Sequence, residues 1–320
     1  MSANAVVEST VTRTAVIDAL SPSFGRIRDN STIDRRSGRP NGWGLIRVSV
    51  ANLRLEPNHR AEMGTQTLMG TVIRILRKSA NWHYAQTPDG YRSWIEAGHF
   101  IPCDRAMADA WEASNQIFVT AWLDRIWEQP DAKALPVSDV VAGSLVKKIG
   151  ASGHFYNVEL PDRRVGFLAK QSGMDYVEWK RKACPSPDNI EQTARHLVGV
   201  PYMWGGTSPK ALDCSGFTKT VFLLNGLQLN RDARHQAHQG KELDPGRNFE
   251  NLRKGDLLFF GRKATPRAPE QITHVAIYLE DRKYIHAASM VKFNSLDSAS
   301  PLYDEKRFKS FVRARRILSP

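Results

Sequence analysis

Cys214 is the residue of this chain whose surroundings most favour covalent chemistry. It follows Asp213 after a short polar turn, and apolar residues follow it at helical spacing, beginning with Phe217 and Val221. This pattern places Cys214 at the N-terminus of a predicted helix, with Asp213 or Ser215 as the capping residue. Unpaired N–H groups and the helix dipole favour a thiolate there, so we expect a lowered pKa and a nucleophilic sulfur. The alternative is a small apolar cysteine that is simply buried in a core.

Two histidines downstream could serve such a nucleophile. The alternation in residues 274–287 predicts two β-strands joined by a short charged turn. With the turn centred on Glu280, His274 lies opposite His286 at a Cβ separation of about 5 Å. One ring nitrogen of His274 could then bond to His286 while the other faces Cys214, which is the nucleophile, base and orienter arrangement of a cysteine peptidase. A register shift of one residue would put the histidines on opposite faces.

The segments around these residues resemble one known family. They are residues 201–206, 213–217, 253–260, 274–278 and 286–289. In this order they are similar to the NlpC/p60 cysteine peptidases, papain-like enzymes that cut bacterial wall peptides. The resemblance extends over residues 187–317. It implies that Cys214 is the nucleophile, His274 the base and His286 the third, orienting residue.

A faint internal repeat precedes this segment. An offset of 73 residues aligns Gly70 with Gly143 and Trp82 with Phe155. Each copy contains short alternating runs that are broken by Gly, Pro and Asp turns. The repeat therefore predicts two duplicated small β-barrels.

The first copy resembles a bacterial SH3-like domain through residues 50–57, Gly70 and residues 89–91. The predicted fold class is therefore multidomain: two small all-β SH3-like barrels followed by an α+β papain-like (NlpC/p60) catalytic domain. The predicted segments are an N-terminal arm at 1–40, barrels at 41–103 and 115–180, a helical or irregular connector at 104–114, and the catalytic domain at 187–317.

This layout resembles the γ-D-glutamyl-L-diamino acid endopeptidases that recycle murein peptides. The resemblance implies that the first barrel closes one end of the groove, so that only peptides with a free N-terminal L-Ala fit. The residues predicted to contact the substrate are Glu62, Tyr91, Tyr202, Trp204, Asp213, Ser215 and Asp232. Carboxylates at the closed end would hold the ammonium through charge-assisted hydrogen bonds. Alternatively, Glu62 and Tyr91 are ordinary barrel surface and Asp232 is a turn or cap residue.

The resemblance implies hydrolysis of the bond between γ-D-Glu and a diamino acid, either L-Lys or meso-diaminopimelate, with release of L-Ala-γ-D-Glu. One alternative is a broad endopeptidase that grips intact peptidoglycan with its barrels, and another is a non-catalytic wall-binding scaffold. We expect no cofactor and no metal. A zinc site of His235, His238 and Cys214 is conceivable, but the metal would quench the nucleophile.

The composition excludes several other classes. The chain has 320 residues and a net charge of +12, but its basic residues are scattered and not interleaved with aromatic residues, so we expect no nucleic acid partner. No apolar run approaches the ~18 residues of a membrane span. No signal-peptide pattern is present, which indicates a cytoplasmic protein, or an exported one whose signal has been removed. We expect three free cysteines and a monomer.

Overall fold

The computed structural model describes residues 42–318 and four two-residue strands nearer the N-terminus. Those strands, Ser2–Ala3, Val6–Val7, Arg28–Asp29 and Thr32–Ile33, form two parallel pairs. The rest of the predicted arm at 1–40 lies outside the described residues. The chain divides into two compact units, Met1–Asn41 and Gly42–Pro320.

The first β-domain is a seven-stranded antiparallel sheet within residues 42–103. Its strands are β1 Gly42–Ile46, β2 Val50–Arg54, β3 Met63–Leu68, β4 Val72–Ser79, β5 Trp82–Gln86, β6 Arg92–Glu96 and β7 Phe100–Cys103, with a 3₁₀ turn at Ala97–His99. The strand order is β7-β1-β4-β5-β6-β2-β3. Alternate residues such as Ile73, Ile75 and Ile95 point inward and form one buried cluster.

A short helix connects this domain to the next. Helix α1 covers Arg105–Glu112, and the carboxylate of Asp104 caps it by accepting the backbone N–H of Met107 at 2.8 Å. Trp111 is buried, and its indole N–H donates to the carbonyl of Gly70 at 2.9 Å. The connector is therefore helical, one of the two predicted forms, and it is fixed to the first β-domain.

The second β-domain repeats the first. Its elements are β8 Gln116–Val119, β9 Leu123–Trp127, β10 Pro136–Val141, β11 Leu145–Ser152, β12 Phe155–Glu159, β13 Val165–Ala169, a 3₁₀ turn at Lys170–Ser172, β14 Gly173–Asp175 and helix α2 Tyr176–Lys182. The strand order β10-β9-β13-β12-β11-β8-β14 is the order of the first sheet, read from the other edge. Strands β2 to β6 recur as β9 to β13 at the predicted offset of 73, and Gly70 and Gly143 both have a positive φ. The internal repeat is confirmed.

The C-terminal domain packs helices on a six-stranded antiparallel sheet. Its elements are α3 Pro187–His196, β15 Thr207–Ser208, β16 Ala211–Leu212, α4 Cys214–Leu224, α5 Ala233–Gln236, β17 Lys241–Leu243, β18 Leu257–Arg262, β19 Gln271–Tyr278, β20 Lys283–Ala288, β21 Met290–Ser295, α6 Glu305–Lys309 and β22 Phe311–Arg316. The sheet order is β17-β22-β18-β19-β20-β21. Phe217 and Val221 of α4 are buried against Val275 and Ile285, so the predicted helix after Cys214 is confirmed.

The hairpin of β19 and β20 has a register two residues away from the predicted one. Tyr284 pairs with Tyr278, whereas a turn centred on Glu280 would have paired it with Ala276. The reason is a tight turn in which Asp281 and Arg282 both have positive φ, as a type I′ hairpin turn requires. A shift of two residues preserves the alternation of faces, so the two histidines stay on one side of the sheet.

No helix in the described part of the chain is long and apolar enough to cross a membrane.

Candidate active site

Cys214 is the first residue of α4, and Asp213 is the N-cap of that helix. The carboxylate of Asp213 accepts the backbone N–H of Gly216 at 2.7 Å and that of Gly205 at 2.9 Å. The start of the helix packs against the preceding loop so closely that a Cβ on Gly216 would collide with the carbonyl of Gly206. The predicted position of the thiol at a helix N-terminus is therefore confirmed.

The expected lowering of the thiol pKa is wrong. Burial, followed by the negative charge of Asp213, raises the pKa of Cys214 to about 11. Hydrogen bonds from the backbone N–H groups of Val275 and Ser215 and the charge of Arg231 favour the thiolate, but they do not outweigh the loss of water. The sequence pattern predicted that Cys214 begins a helix, but it did not predict how deeply the start of that helix is buried. The resting thiol is protonated and needs a base.

The two histidines form a hydrogen-bonded chain with a third residue. Nε2 of His274 lies 2.7 Å from Nδ1 of His286, and Nε2 of His286 lies 3.0 Å from Oδ1 of Asn294. The amide of Asn294 is fixed because its Nδ2 donates to the carbonyl of Leu302 at 3.1 Å. Nδ1 of His274 remains outside this chain. The sulfur of Cys214 accepts the backbone N–H of Val275, which follows His274 in β19.

Sequence reasoning missed Asn294, and a signal for it existed. Strand β21 is otherwise apolar or basic apart from its terminal serine, and asparagine is depleted in strand interiors. Asn294 pairs with Tyr284, two residues before His286, and alternation along the strand puts it on the histidine face.

Both imidazoles are neutral at rest. Burial lowers the pKa of His274 well below its ordinary value, and the charges of Arg307 and His286 lower it further. Burial also lowers the pKa of His286 to about 4, against the hydrogen bond of Asn294, which raises it. A neutral pair is the form that can accept a proton from the thiol.

Arg231 was also missed from the sequence, and it lies against the residues that flank Cys214. Its guanidinium is buried and forms an ion pair of 2.5 Å with the carboxylate of Asp213. It also donates to the hydroxyl of Ser215 at 2.9 Å and to that of Thr65 in the first β-domain at 3.1 Å. Two of the predicted substrate-contacting residues, Asp213 and Ser215, are therefore buried partners of this arginine. Only the tertiary fold brings Arg231 to them.

The first β-domain forms one wall beside the loop that leads to Cys214. The carboxylate of Glu62 accepts the indole N–H of Trp204 at 2.5 Å, although 60% of Trp204 remains exposed. The backbone N–H of Thr207 donates to the side chain of Gln66 at 3.0 Å, and Gly205 runs against the backbone of Met63. The wall thus places Glu62 next to the loop that precedes Cys214.

The remaining predicted residues border the same region. Tyr91 is half-buried, and burial followed by the negative charge of Asp232 raises the pKa of its hydroxyl. Burial likewise raises the pKa of Tyr202, and the charge of Cys214 adds to that effect. The carboxylate of Asp232 lies 3.7 Å from Nδ1 of His235. In the described part of the chain no three His, Cys, Asp or Glu side chains form a metal-binding group, and Cys103, Cys184 and Cys214 are all free.

Comparison with known proteins fits this geometry. Residues 199–313 match the model of the NlpC/P60 family, and residues 53–100 match that of the bacterial dipeptidyl-peptidase Sh3 domain. The chain belongs to the NlpC/P60 family and is a cysteine peptidase. The predicted fold class, with SH3-like domains before a papain-like domain, is confirmed.

Several relatives share most of its length. It is 29% identical over 81% of its length to "Dipeptidyl-peptidase 6" of Lysinibacillus sphaericus, of which it covers 93%. It is 30% identical over 86% of its length to a "Gamma-D-glutamyl-L-lysine dipeptidyl-peptidase" of Bacillus cereus, of which it covers 81%, and 39% identical over 70% to one of Bacillus subtilis, of which it covers 71%. A crystal structure of an NlpC/P60 family protein from Bacillus cereus has the same fold, with a TM-score of 0.72 at 24% identity, covering 87% of this chain and all of that one.

Proposed function

We propose that this peptidase hydrolyses the bond between γ-D-Glu and the diamino acid of murein peptides that begin with a free L-Ala, and so releases L-Ala-γ-D-Glu. Two relatives, from Bacillus cereus and Bacillus subtilis, are named gamma-D-glutamyl-L-lysine dipeptidyl-peptidases, which supports this bond. The observation that carries the proposal is the wall formed by the first β-domain, which holds Glu62 against the loop before Cys214.

The wall gives a physical reason for requiring a free N-terminus. Glu62 supplies a carboxylate from one domain and Asp232 a second from the other, while Tyr91 lies within electrostatic reach of Asp232. An ammonium between two carboxylates gains charge-assisted hydrogen bonds that an N-acetyl group cannot form. A longer peptide would leave the carboxylates unpaired and would also collide with the wall. Discrimination against it comes both from the lost hydrogen bonds and from steric repulsion.

The hydrogen-bonded chain supports one direction of proton transfer. Oδ1 of Asn294 can only accept, so Nε2–H of His286 donates to it and Nδ1 of His286 accepts Nε2–H of His274. This tautomer leaves Nδ1 of His274 free to take a proton. His274 removes the thiol proton as Cys214 Sγ attacks the scissile carbonyl, and then gives that proton to the leaving amine as the C–N bond breaks.

The product of this step is a thioester, which water hydrolyses with His274 again as the base. Because Cys214 begins α4, its own backbone N–H is unpaired within the helix and can donate to the oxyanion of the tetrahedral intermediate. The buried pair of Arg231 and Asp213 holds the start of the helix in place.

The direct test supplies L-Ala-γ-D-Glu-L-Lys and its N-acetylated form to the purified chain and identifies the products by mass spectrometry. The proposal expects L-Ala-γ-D-Glu and free lysine from the first peptide and little or no cleavage of the second. Equal rates on both would support a broad wall endopeptidase. No cleavage of either peptide, with a folded protein, would refute the proposal.

A further inference from the structure

Arg307 places a positive charge beside the catalytic histidines without a part in the steps above. It lies in α6 and is half-buried. Its guanidinium carbon is 5.7 Å from the centre of the Phe260 ring, and that ring is 5.9 Å from the ring of His274. Its charge also acts on Tyr202, a residue of the loop before Cys214. The charge of the guanidinium therefore acts both on His274 and on the loop before Cys214.

This arginine differs from several others in the same domain. Arg231, Arg282 and Arg316 form ion pairs of 2.5 to 2.8 Å with carboxylates. Within residues 42–318, no carboxylate lies within 4 Å of the Arg307 guanidinium, and the carboxylate of nearby Asp304 accepts the backbone N–H of Arg307 as a helix cap. Because no carboxylate in that range pairs with it, the half-buried Arg307 guanidinium keeps N–H donors available for an anionic ligand.

The proposed reaction brings an anion to this place. His274 protonates the leaving amine, so the leaving nitrogen must lie beside the His274 ring. The α-carbon that bears this nitrogen also bears the α-carboxylate of the diamino acid. The amine end of the substrate lies at the wall that contains Glu62, on the opposite side of the scissile bond. Negative groups at one end and a guanidinium at the other complement a peptide with charges of both signs.

We propose that Arg307 binds a carboxylate of the leaving diamino acid and thereby selects substrates that carry one. The inference rests on the proposed function. Guanidinium recognises carboxylate with parallel N–H donors, which gives specificity as well as attraction. Two sources of carboxylate exist: the main-chain carboxylate of a C-terminal diamino acid, and the side-chain carboxylate of meso-diaminopimelate.

The test compares kcat/KM for three peptides: L-Ala-γ-D-Glu-L-Lys as the free acid, its C-terminal amide, and L-Ala-γ-D-Glu-meso-diaminopimelate with an amidated main-chain carboxyl. The variants are Arg307→Gln, Arg307→Lys, and Lys306→Gln as a matched control. The control removes one positive charge from an exposed position of the same helix. Thermal unfolding of each variant shows whether it is folded.

The wild type should prefer the acid over the lysine amide by about tenfold or more, the effect of one charge-assisted hydrogen bond. Arg307→Gln should reduce this ratio to near one, mainly through KM, while Lys306→Gln keeps it and Arg307→Lys keeps part of it. An Arg307-dependent preference for the diaminopimelate amide over the lysine amide identifies the side-chain carboxylate as the source.

Two results overturn the inference in different ways. If Arg307→Gln lowers the rates on acid and amide equally, or leaves both unchanged, Arg307 acts on the histidines or not at all, and the proposed function stands. If the wild type releases L-Ala-γ-D-Glu from none of the three peptides, the proposed function fails and the inference fails with it.

Discussion

The ion pair between Asp89 and Lys219 joins the first β-domain to the catalytic helix, and its removal gives a sharp test of the domain arrangement. Nζ of Lys219 lies 2.7 Å from the Asp89 carboxylate, and the side chains are 14% and 8% exposed. Lys219 also donates to the carbonyl of Leu229 at 3.0 Å. Burial alone would raise the pKa of Asp89, but the charge and hydrogen bond of Lys219, with hydrogen bonds from Thr87 and Tyr91, lower it.

Lys219→Met should destabilise the protein by about 3 kcal/mol, the lower end of the cost of leaving one buried partner uncompensated. For a cooperative unit of about 150–250 residues, this loss of free energy corresponds to a fall in Tm of roughly 6–12 °C. Lys210→Met is the matched control, because Lys210 also joins two domains through Asp139 but the side chains are 40% and 50% exposed. An exposed pair contributes less than about 1 kcal/mol.

The assay is urea and thermal unfolding followed by tryptophan fluorescence, with the double variant Asp89→Asn/Lys219→Met included. The double variant should be more stable than Lys219→Met, since no buried charge is left alone. A lowered Asp89 pKa stabilises the protein above the ordinary value of 3.8, and this contribution is lost as the pH falls through the folded pKa. The difference in the free energy of unfolding between the wild type and Lys219→Met should therefore become smaller in acid. A loss in Lys219→Met no larger than in Lys210→Met would refute the reasoning.

Three further predictions concern the catalytic groups. Cys214→Ala should abolish hydrolysis and leave the circular dichroism spectrum unchanged; residual turnover would exclude Cys214 as the nucleophile. Asn294→Ala should lower kcat by about tenfold through loss of one hydrogen bond to the imidazole pair, while Asn294→Asp keeps the acceptor and most of the rate; equal rates in both variants would contradict this. Because burial lowers the pKa of His286 to about 4 and that of His274 as well, both rings stay neutral as the pH falls through 6.5, and the acid limb of the kcat/KM profile should lie below that value. An acid limb at or above 6.5 would show that the rings are more basic than their burial implies.

The sequence predicted those parts of the fold that repeat or alternate. The 73-residue offset gave two copies of one sheet, and the apolar spacing after Cys214 gave α4. Two local predictions were wrong, one because of turn geometry and one because of burial. The hairpin register depended on Asp281 and Arg282 adopting positive φ, which is uncommon for arginine. The thiol pKa depended on how deeply the start of the helix is buried.

The missed residues share one cause. Arg231 immediately precedes Asp232, the N-cap of α5, and it reaches Asp213 because α5 packs against α4. Asn294 joins the histidines through a third strand, β21, and its only sequence signal is an asparagine inside a strand. Arg307 lies on a five-residue helix without an apolar period. In each case the chemistry comes from contacts between elements, which a one-dimensional pattern does not record.

The central claim is that Cys214 acts as a nucleophile that His274 activates, and alkylation by a substrate-like electrophile tests it most directly. The probe is L-Ala-γ-D-Glu with a diazomethyl ketone at the carbonyl of the scissile bond, and peptide mapping locates the adduct. The account predicts one adduct, on Cys214, none on Cys103 or the exposed Cys184, and loss of labelling in His274→Ala. Labelling of Cys184 in preference to Cys214, or unchanged labelling in His274→Ala, would contradict it.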